Sequence, residues 1–122
     1  MTKILIVDDS ATMRAQVKQA LDEGGFDLNE AADGQEALQM LKSDLHYRIV
    51  ILDVNMPRMN GIELIEALKQ EGKIDAGLQV IMLTTEGHAD LIARAKAAGA
   101  KGWIVKPFKP EMLAAAVQKM AA

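Results

Sequence analysis

Cysteine is absent from this chain, aromatic side chains make up 3% of it, and no apolar run approaches the roughly 20 residues that a membrane-crossing helix needs. Without Cys, a disulfide scaffold, a thiol enzyme and a Cys-ligated zinc site are all excluded. The opening Met-Thr-Lys-Ile-Leu-Ile-Val-Asp-Asp reaches acid too soon to be a signal peptide. A cytoplasmic, monomeric protein is expected, with one domain over residues 1–122 that is complete as it stands. A domain of this size buries about two-thirds of the surface its unfolded chain exposes, so a core of Leu, Ile, Val, Met and Ala suffices. A net charge of −3 argues against non-specific nucleic-acid binding. The charge is uneven, however. Residues 1–85 carry 8 basic and 14 acidic side chains, a net −6, whereas residues 86–122 carry 6 basic and 3 acidic, a net +3. A partner met by the C-terminal third is therefore expected to be acidic.

Short β-branched apolar runs alternate with segments whose apolar residues fall at helical spacing, without internal repeats. The runs are Lys3–Val7, Phe26–Ala31, Arg48–Leu52, Gln79–Leu83 and Gly102–Val105, and helices are predicted near 11–23, 34–43, 61–71, 88–98 and 109–120. Gly24-Gly25 and Gly99 can close helices, Asp33 with Glu36 and Asn60 with Glu63 resemble capping boxes, and Pro110 sits where a first turn tolerates it. Five βα units imply an α/β fold, a doubly wound five-stranded parallel sheet with helices on both faces. Ile4–Val7, Ile49–Leu52 and Val80–Leu83 are continuously apolar, as strands buried on both sides should be, whereas the second run alternates and reads as an edge. That placement suits the flavodoxin-like order 2-1-3-4-5; the competing 3-2-1-4-5 would put the second strand inside.

In such a sheet, ligands collect beyond the carboxyl ends of the strands. Those ends read Asp8-Asp9-Ser10, Asp53-Val54-Asn55, Thr84-Thr85-Glu86 and Lys106-Pro107-Phe108. Taken singly, Asp8 and Asp9 need only favour a helix N-terminus, Asp53 can cap a turn, and Thr84 and Lys106 are ordinary surface residues. Taken together, they put three carboxylates, a hydroxyl and an ammonium on one rim. Two like charges 4 Å apart repel by about 4 kcal/mol at an effective dielectric of 20, so a cation is called for. Lys106 is one; a hard divalent ion, Mg²⁺ rather than zinc, is the other, because no His or Cys accompanies the acids. Phosphoryl transfer onto a carboxylate uses this set, with Asp53 as nucleophile, Asp8 and Asp9 holding Mg²⁺, and the Asn55 carbonyl offering a further oxygen.

Val-Asp-Asp-Ser at 7–10, Leu-Asp-Val-Asn-Met-Pro at 52–57, Gly61, Thr84 and Lys106-Pro107-Phe108 together resemble the signature of response-regulator receiver domains, over the entire chain. The resemblance implies phosphorylation of Asp53 by the phosphohistidine of a CheA-like histidine kinase, Mg²⁺ at Asp8, Asp9, Asp53 and the Asn55 carbonyl, and a switch run by Thr84 and Lys106. It also implies a cis bond between Lys106 and Pro107, and tuning of acyl-phosphate hydrolysis by Asn55 and Glu86. The chain ends about one helix after Lys106, so no output domain is expected and the protein is similar to single-domain, CheY-like chemotaxis regulators. Trp103 stands where such receivers keep a mobile aromatic. They usually have Tyr or Phe there, and a larger indole can be strained inward or can simply pack on the rim. Thr85 can gate Asp53 or be a turn residue.

These implications describe a phosphoacceptor switch rather than an enzyme, with only autocatalytic phosphotransfer and autodephosphorylation. Its face built from the fourth helix, fifth strand and fifth helix would bind a flagellar-motor switch protein, or a phosphotransfer protein in a relay. A haloacid-dehalogenase-like phosphatase would instead carry its nucleophile in Asp-x-Asp after the first strand. A flavin module would need a Ser/Thr/Gly phosphate loop where Asp8 and Asp9 stand.

Overall fold

Alternating strands and helices cover both faces of a sheet most simply when the strands run parallel and each helix crosses over between them. The computed structural model, which describes residues 1–56, 59–85 and 89–122, has that form. Its strands are β1 (Lys3–Val7), β2 (Asp27–Ala31), β3 (Tyr47–Asp53), β4 (Gln79–Thr84) and β5 (Gly102–Val105). They lie in the order β2-β1-β3-β4-β5 with every pair parallel, which excludes the order 3-2-1-4-5. The helices are α1 (Ala11–Leu21), α2 (Gly34–Ser43), α3 (Gly61–Gln70), α4 (Ala89–Ala97) and α5 (Pro110–Ala121).

Successive residues of the central strands face opposite sides, so each continuously apolar run feeds two cores. Leu5, Val7, Val50, Leu52, Val80 and Met82 pack with Leu41 of α2, Leu64, Ile65 and Leu68 of α3 and Ala95 of α4. Ile4, Ile6, Ile49, Ile51, Ile81 and Leu83 pack with Val17 and Leu21 of α1 and Leu113 and Val117 of α5. Fully burying one such Val, Leu, Ile or Met side chain is worth about 1.5–3 kcal/mol. β2 exposes Asp27 and Glu30, as an edge strand should.

Polar side chains fix the starts of α1, α2 and α3. Ser10 Oγ accepts from the Met13 N–H at 3.2 Å, Asp33 Oδ1 from the Glu36 N–H at 2.9 Å, and Asn60 and Glu63 form a reciprocal capping box at 2.9 and 3.0 Å. α1 stops at Leu21, and Asp22–Gly24 tighten into a 3-10 turn closed by Gly25 at φ +72°. β3 runs further than its apolar core predicts, through Tyr47 at one end and Asp53 at the other, and β4 continues to Thr84. Hydrophobic periodicity ends a strand at its last apolar residue, whereas Asp53 and Thr84 are buried polar continuations of the ladder. Among the described residues, no helix is long and apolar enough to cross a membrane.

Candidate functional site

Register decides which strand ends meet. Val7 pairs with Leu52, Asp53 with Leu83, and Thr84 with Val105, so Asp8, Asp53, Thr84 and Lys106 arrive within about one step of one level at the carboxyl edge. The Lys106 N–H donates to the Thr84 carbonyl at 2.7 Å, continuing the β4–β5 ladder past its last paired residue. The Lys106–Pro107 peptide bond is cis.

Asp8 and Asp53 are almost wholly buried, at 3% and 5% exposure, and Lys106 joins them. Its ammonium donates to Asp8 Oδ2 at 2.9 Å and to Asp53 Oδ1 at 3.3 Å. The other oxygen of Asp8 accepts from the Ser10 N–H at 2.9 Å. Asp9 stays exposed, yet one carboxylate oxygen from each of Asp8, Asp9 and Asp53 lies within 4.8 Å of the others. Three carboxylates against one ammonium leave an excess of negative charge, and an all-oxygen donor set without His or Cys fits a hard divalent cation such as Mg²⁺.

The electrostatics follow from burial. Desolvation, reinforced by the field of Asp8, pushes the Asp53 carboxyl up to about 6, against the opposing pull of Lys106 and of the Asn55 backbone N–H. Burial also works against the charge of Lys106, but its hydrogen bond to Asp8 and the fields of Asp53 and Asp8 outweigh it and raise its pKa. The result is a carboxylate that is mostly ionised at neutral pH and held beside a permanent cation.

Of the remaining sequence candidates, Thr84, Asn55, Thr85 and Trp103 are among the described residues. Thr84 is fully buried at the end of β4, and Asn55 lies exposed on the loop after β3. Thr85 is exposed on the same rim. Trp103 pairs with Met82 two places below Thr84 and packs against the α2–α3–α4 core, and its buried Nε1 finds no acceptor among the described residues. Glu86 and Pro57 lie outside the described residues. Sequence reasoning missed Arg14, whose Nη1 donates to the backbone carbonyl of Asp8 at 2.6 Å while its Nε donates to Glu30 Oε1 at 2.9 Å. Only the helical position of Arg14 was legible, because its partner is on another strand. α3 begins hard against the site: the Gly61 N–H donates to the Val54 carbonyl at 2.9 Å, and a Cβ on Gly61 would overlap the Asp53 carbonyl oxygen.

Comparison with known proteins gives a consistent result. The family model for the response regulator receiver domain matches residues 4–118. The chain is 42% identical over 112 residues to a chemotaxis protein CheY homolog of Campylobacter jejuni, covering 91% of this chain and 85% of that protein. It is 38% identical over 120 residues to the chemotaxis protein CheY of Thermotoga maritima, covering 98% and 97%. The solved structure of the Vibrio cholerae chemotaxis response regulator CheY4 superposes with a TM-score of 0.88 at 39% identity, covering 98% of each chain.

Proposed function

Since the chain belongs to the response regulator receiver domain family and is homologous to CheY chemotaxis regulators, we propose that Asp53 is its phosphoacceptor and that phosphorylation switches the α4–β5–α5 face for partner binding. The observation that carries the proposal is the convergence of Asp8, Asp53 and Lys106, which the register of four neighbouring strands brings together from positions far apart in sequence.

Phosphorylation on Asp by a kinase is general in this family. An ionised Asp53 oxygen attacks the phosphorus of a phosphohistidine, the P–N bond breaks as the P–O bond forms, and the leaving imidazole nitrogen takes a proton. The nucleophile has to be a carboxylate, and at neutral pH an Asp53 pushed up to about 6 is largely deprotonated. Its solvent shell has already been stripped, so little reorganisation stands between it and an incoming phosphoryl group. The Lys106 ammonium within reach of Asp53 is placed to follow negative charge onto the phosphoryl oxygens, and the Thr84 hydroxyl, at the end of the neighbouring strand, to bond another. Asp8, Asp9, Asp53 and the Asn55 carbonyl would hold Mg²⁺, which when bound offsets the phosphoryl charge. Water later hydrolyses the acyl phosphate and restores Asp53; Asn55 and Glu86 are assigned the tuning of that step.

The segment from α4 to the end of the chain carries its basic excess, including Lys96, Lys101, Lys109 and Lys119, and exposes Val105 and Met112. It suits an acidic partner of the flagellar-motor switch kind, with a CheA-like kinase as phosphodonor, acting in the cytoplasm. Intact-mass measurement after incubation with acetyl phosphate and Mg²⁺ tests the acceptor: one phosphoryl group should add to the parent and none to Asp53→Asn. Capture by motor-switch peptides that strengthens with beryllofluoride supports chemotaxis, and capture only by a phosphotransfer protein points to a relay.

A further inference from the structure

The turn from β1 into α1 carries two of the three clustered carboxylates, so whatever fixes its backbone fixes the shape of the cluster. The Asp8 N–H donates to the Ala31 carbonyl of β2 at 3.2 Å, and the Asp8 carbonyl accepts from Arg14 Nη1 at 2.6 Å. Arg14 thereby reaches back from the first turn of α1 to the peptide that joins Asp8 to Asp9. Its Nε is anchored on Glu30 Oε1 at 2.9 Å, and the second oxygen of Glu30 accepts from Lys18 Nζ at 3.2 Å. Only 17% of the Arg14 side chain is exposed. The guanidinium is therefore a strut between the edge strand and the main chain of the turn, while the Asp8 carboxylate bonds Ser10 and Lys106.

We infer that Arg14, anchored by Glu30, is a positioning residue that holds the Asp8–Asp9 peptide in the orientation that aims the Asp9 carboxylate toward Asp8 and Asp53. The inference rests on the reading of that cluster as a Mg²⁺ site. Two effects of Arg14 oppose each other. As a bare positive charge near a cation site, it would weaken metal binding; as a fixer of ligand geometry, it strengthens it. Glu30 offsets the charge, so geometry should prevail. A planar fork can bond a carbonyl and a carboxylate at once, which a lysine ammonium on a flexible stem cannot do in the same directions. Groups that orient metal ligands from outside typically change affinity about 10–100-fold when lost.

The test is the Mg²⁺ dissociation constant of the full chain, measured calorimetrically for the parent, Arg14→Lys, Arg14→Gln, Glu30→Gln and Lys18→Ala, with phosphate incorporation followed in parallel. The expected result is a dissociation constant raised about tenfold or more in the Arg14 and Glu30 variants and unchanged in Lys18→Ala. Glu30→Gln leaves Arg14 in place and serves if the Arg14 variants fail to fold, with its constant compared at low and high salt: a rise that persists in high salt supports the inference, and one that vanishes there, being charge acting alone, would overturn it. Arg14→Lys binding like the parent while Arg14→Gln binds more tightly would overturn the inference, since charge alone would then be acting. A parent that binds no Mg²⁺ would overturn the metal reading and this inference with it, an outcome distinct from variants that bind as the parent does.

Discussion

Asp53 is nearly buried beside another acid, and its folded-state pKa of about 6 lies above the value near 3.9 expected of an unfolded Asp. The folded protein therefore holds a proton that the unfolded chain has already released between those two values. The stability tied to this residue is fully present below about pH 4, is lost as pH rises through about 6, and is level above that. A rise of that size corresponds to about 3 kcal/mol. Asn at this position is neutral at every pH, so metal-free Asp53→Asn should be more stable than the parent at pH 7.5 by up to that amount. Its advantage should shrink steadily as pH falls toward 4. Urea unfolding of both proteins in a chelator across that range measures the gap, and a gap that does not change with pH would show that Asp53 titrates as an ordinary carboxylate.

At the scale of elements, the same carboxylate depends on how α3 begins. Asn60 and Glu63 cap the helix, and Gly61 lets its first turn lie against the backbone of Asp53 and Val54. Replacing Gly by Ala within a helix ordinarily gains up to about 1 kcal/mol. Here the new Cβ would collide with the Asp53 carbonyl oxygen, a backbone atom that cannot swing aside, so overpacking at a typical cost of about 1–3 kcal/mol decides the sign. Gly61→Ala should lower the melting temperature and slow phosphate incorporation by displacing Asp53. Asn60→Ala should cost about 1 kcal/mol of stability and leave incorporation near the parental rate. Equal losses of rate in the two variants would mean that helix stability, rather than the close approach, governs the site. The caps at Asp33 and Asn60 and most element boundaries were legible because they depend on neighbours three or four residues away, although only Asn60 with Glu63 closes a full capping box. The ends of β3 and β4 at Asp53 and Thr84 lie one residue beyond their apolar runs, because polar residues end an apolar period even where the ladder continues. The role of Arg14 was illegible for a different reason: Glu30 meets it only when β2 pairs with β1.

For the whole molecule, strand order and register turn separated acids into one strained neighbourhood, and the molecule should respond to whatever relieves that strain. In the absence of metal, Asp9→Asn removes one repelling charge, and millimolar Mg²⁺ neutralises the cluster by binding it. Each should raise the melting temperature, and the two gains should not add, because they draw on the same repulsion and the variant has lost a ligand. A variant stabilised by Mg²⁺ as much as the parent would place the metal elsewhere. The signal has a natural reporter in the single tryptophan. Trp103 sits on β5, on the same side of the sheet as Thr84 and packed against the α2–α3–α4 core, with a buried N–H that no described residue satisfies. A buried donor without a partner costs about 1–3 kcal/mol, so a modest bias from the phosphorylation site can change which pose the indole prefers. Its emission should shift on adding Mg²⁺ and again on adding beryllofluoride, and Thr84→Ala should suppress the second shift while sparing the first. A tryptophan silent to both additions would confine the response to the rim and deny Trp103 any part in carrying it to the output face.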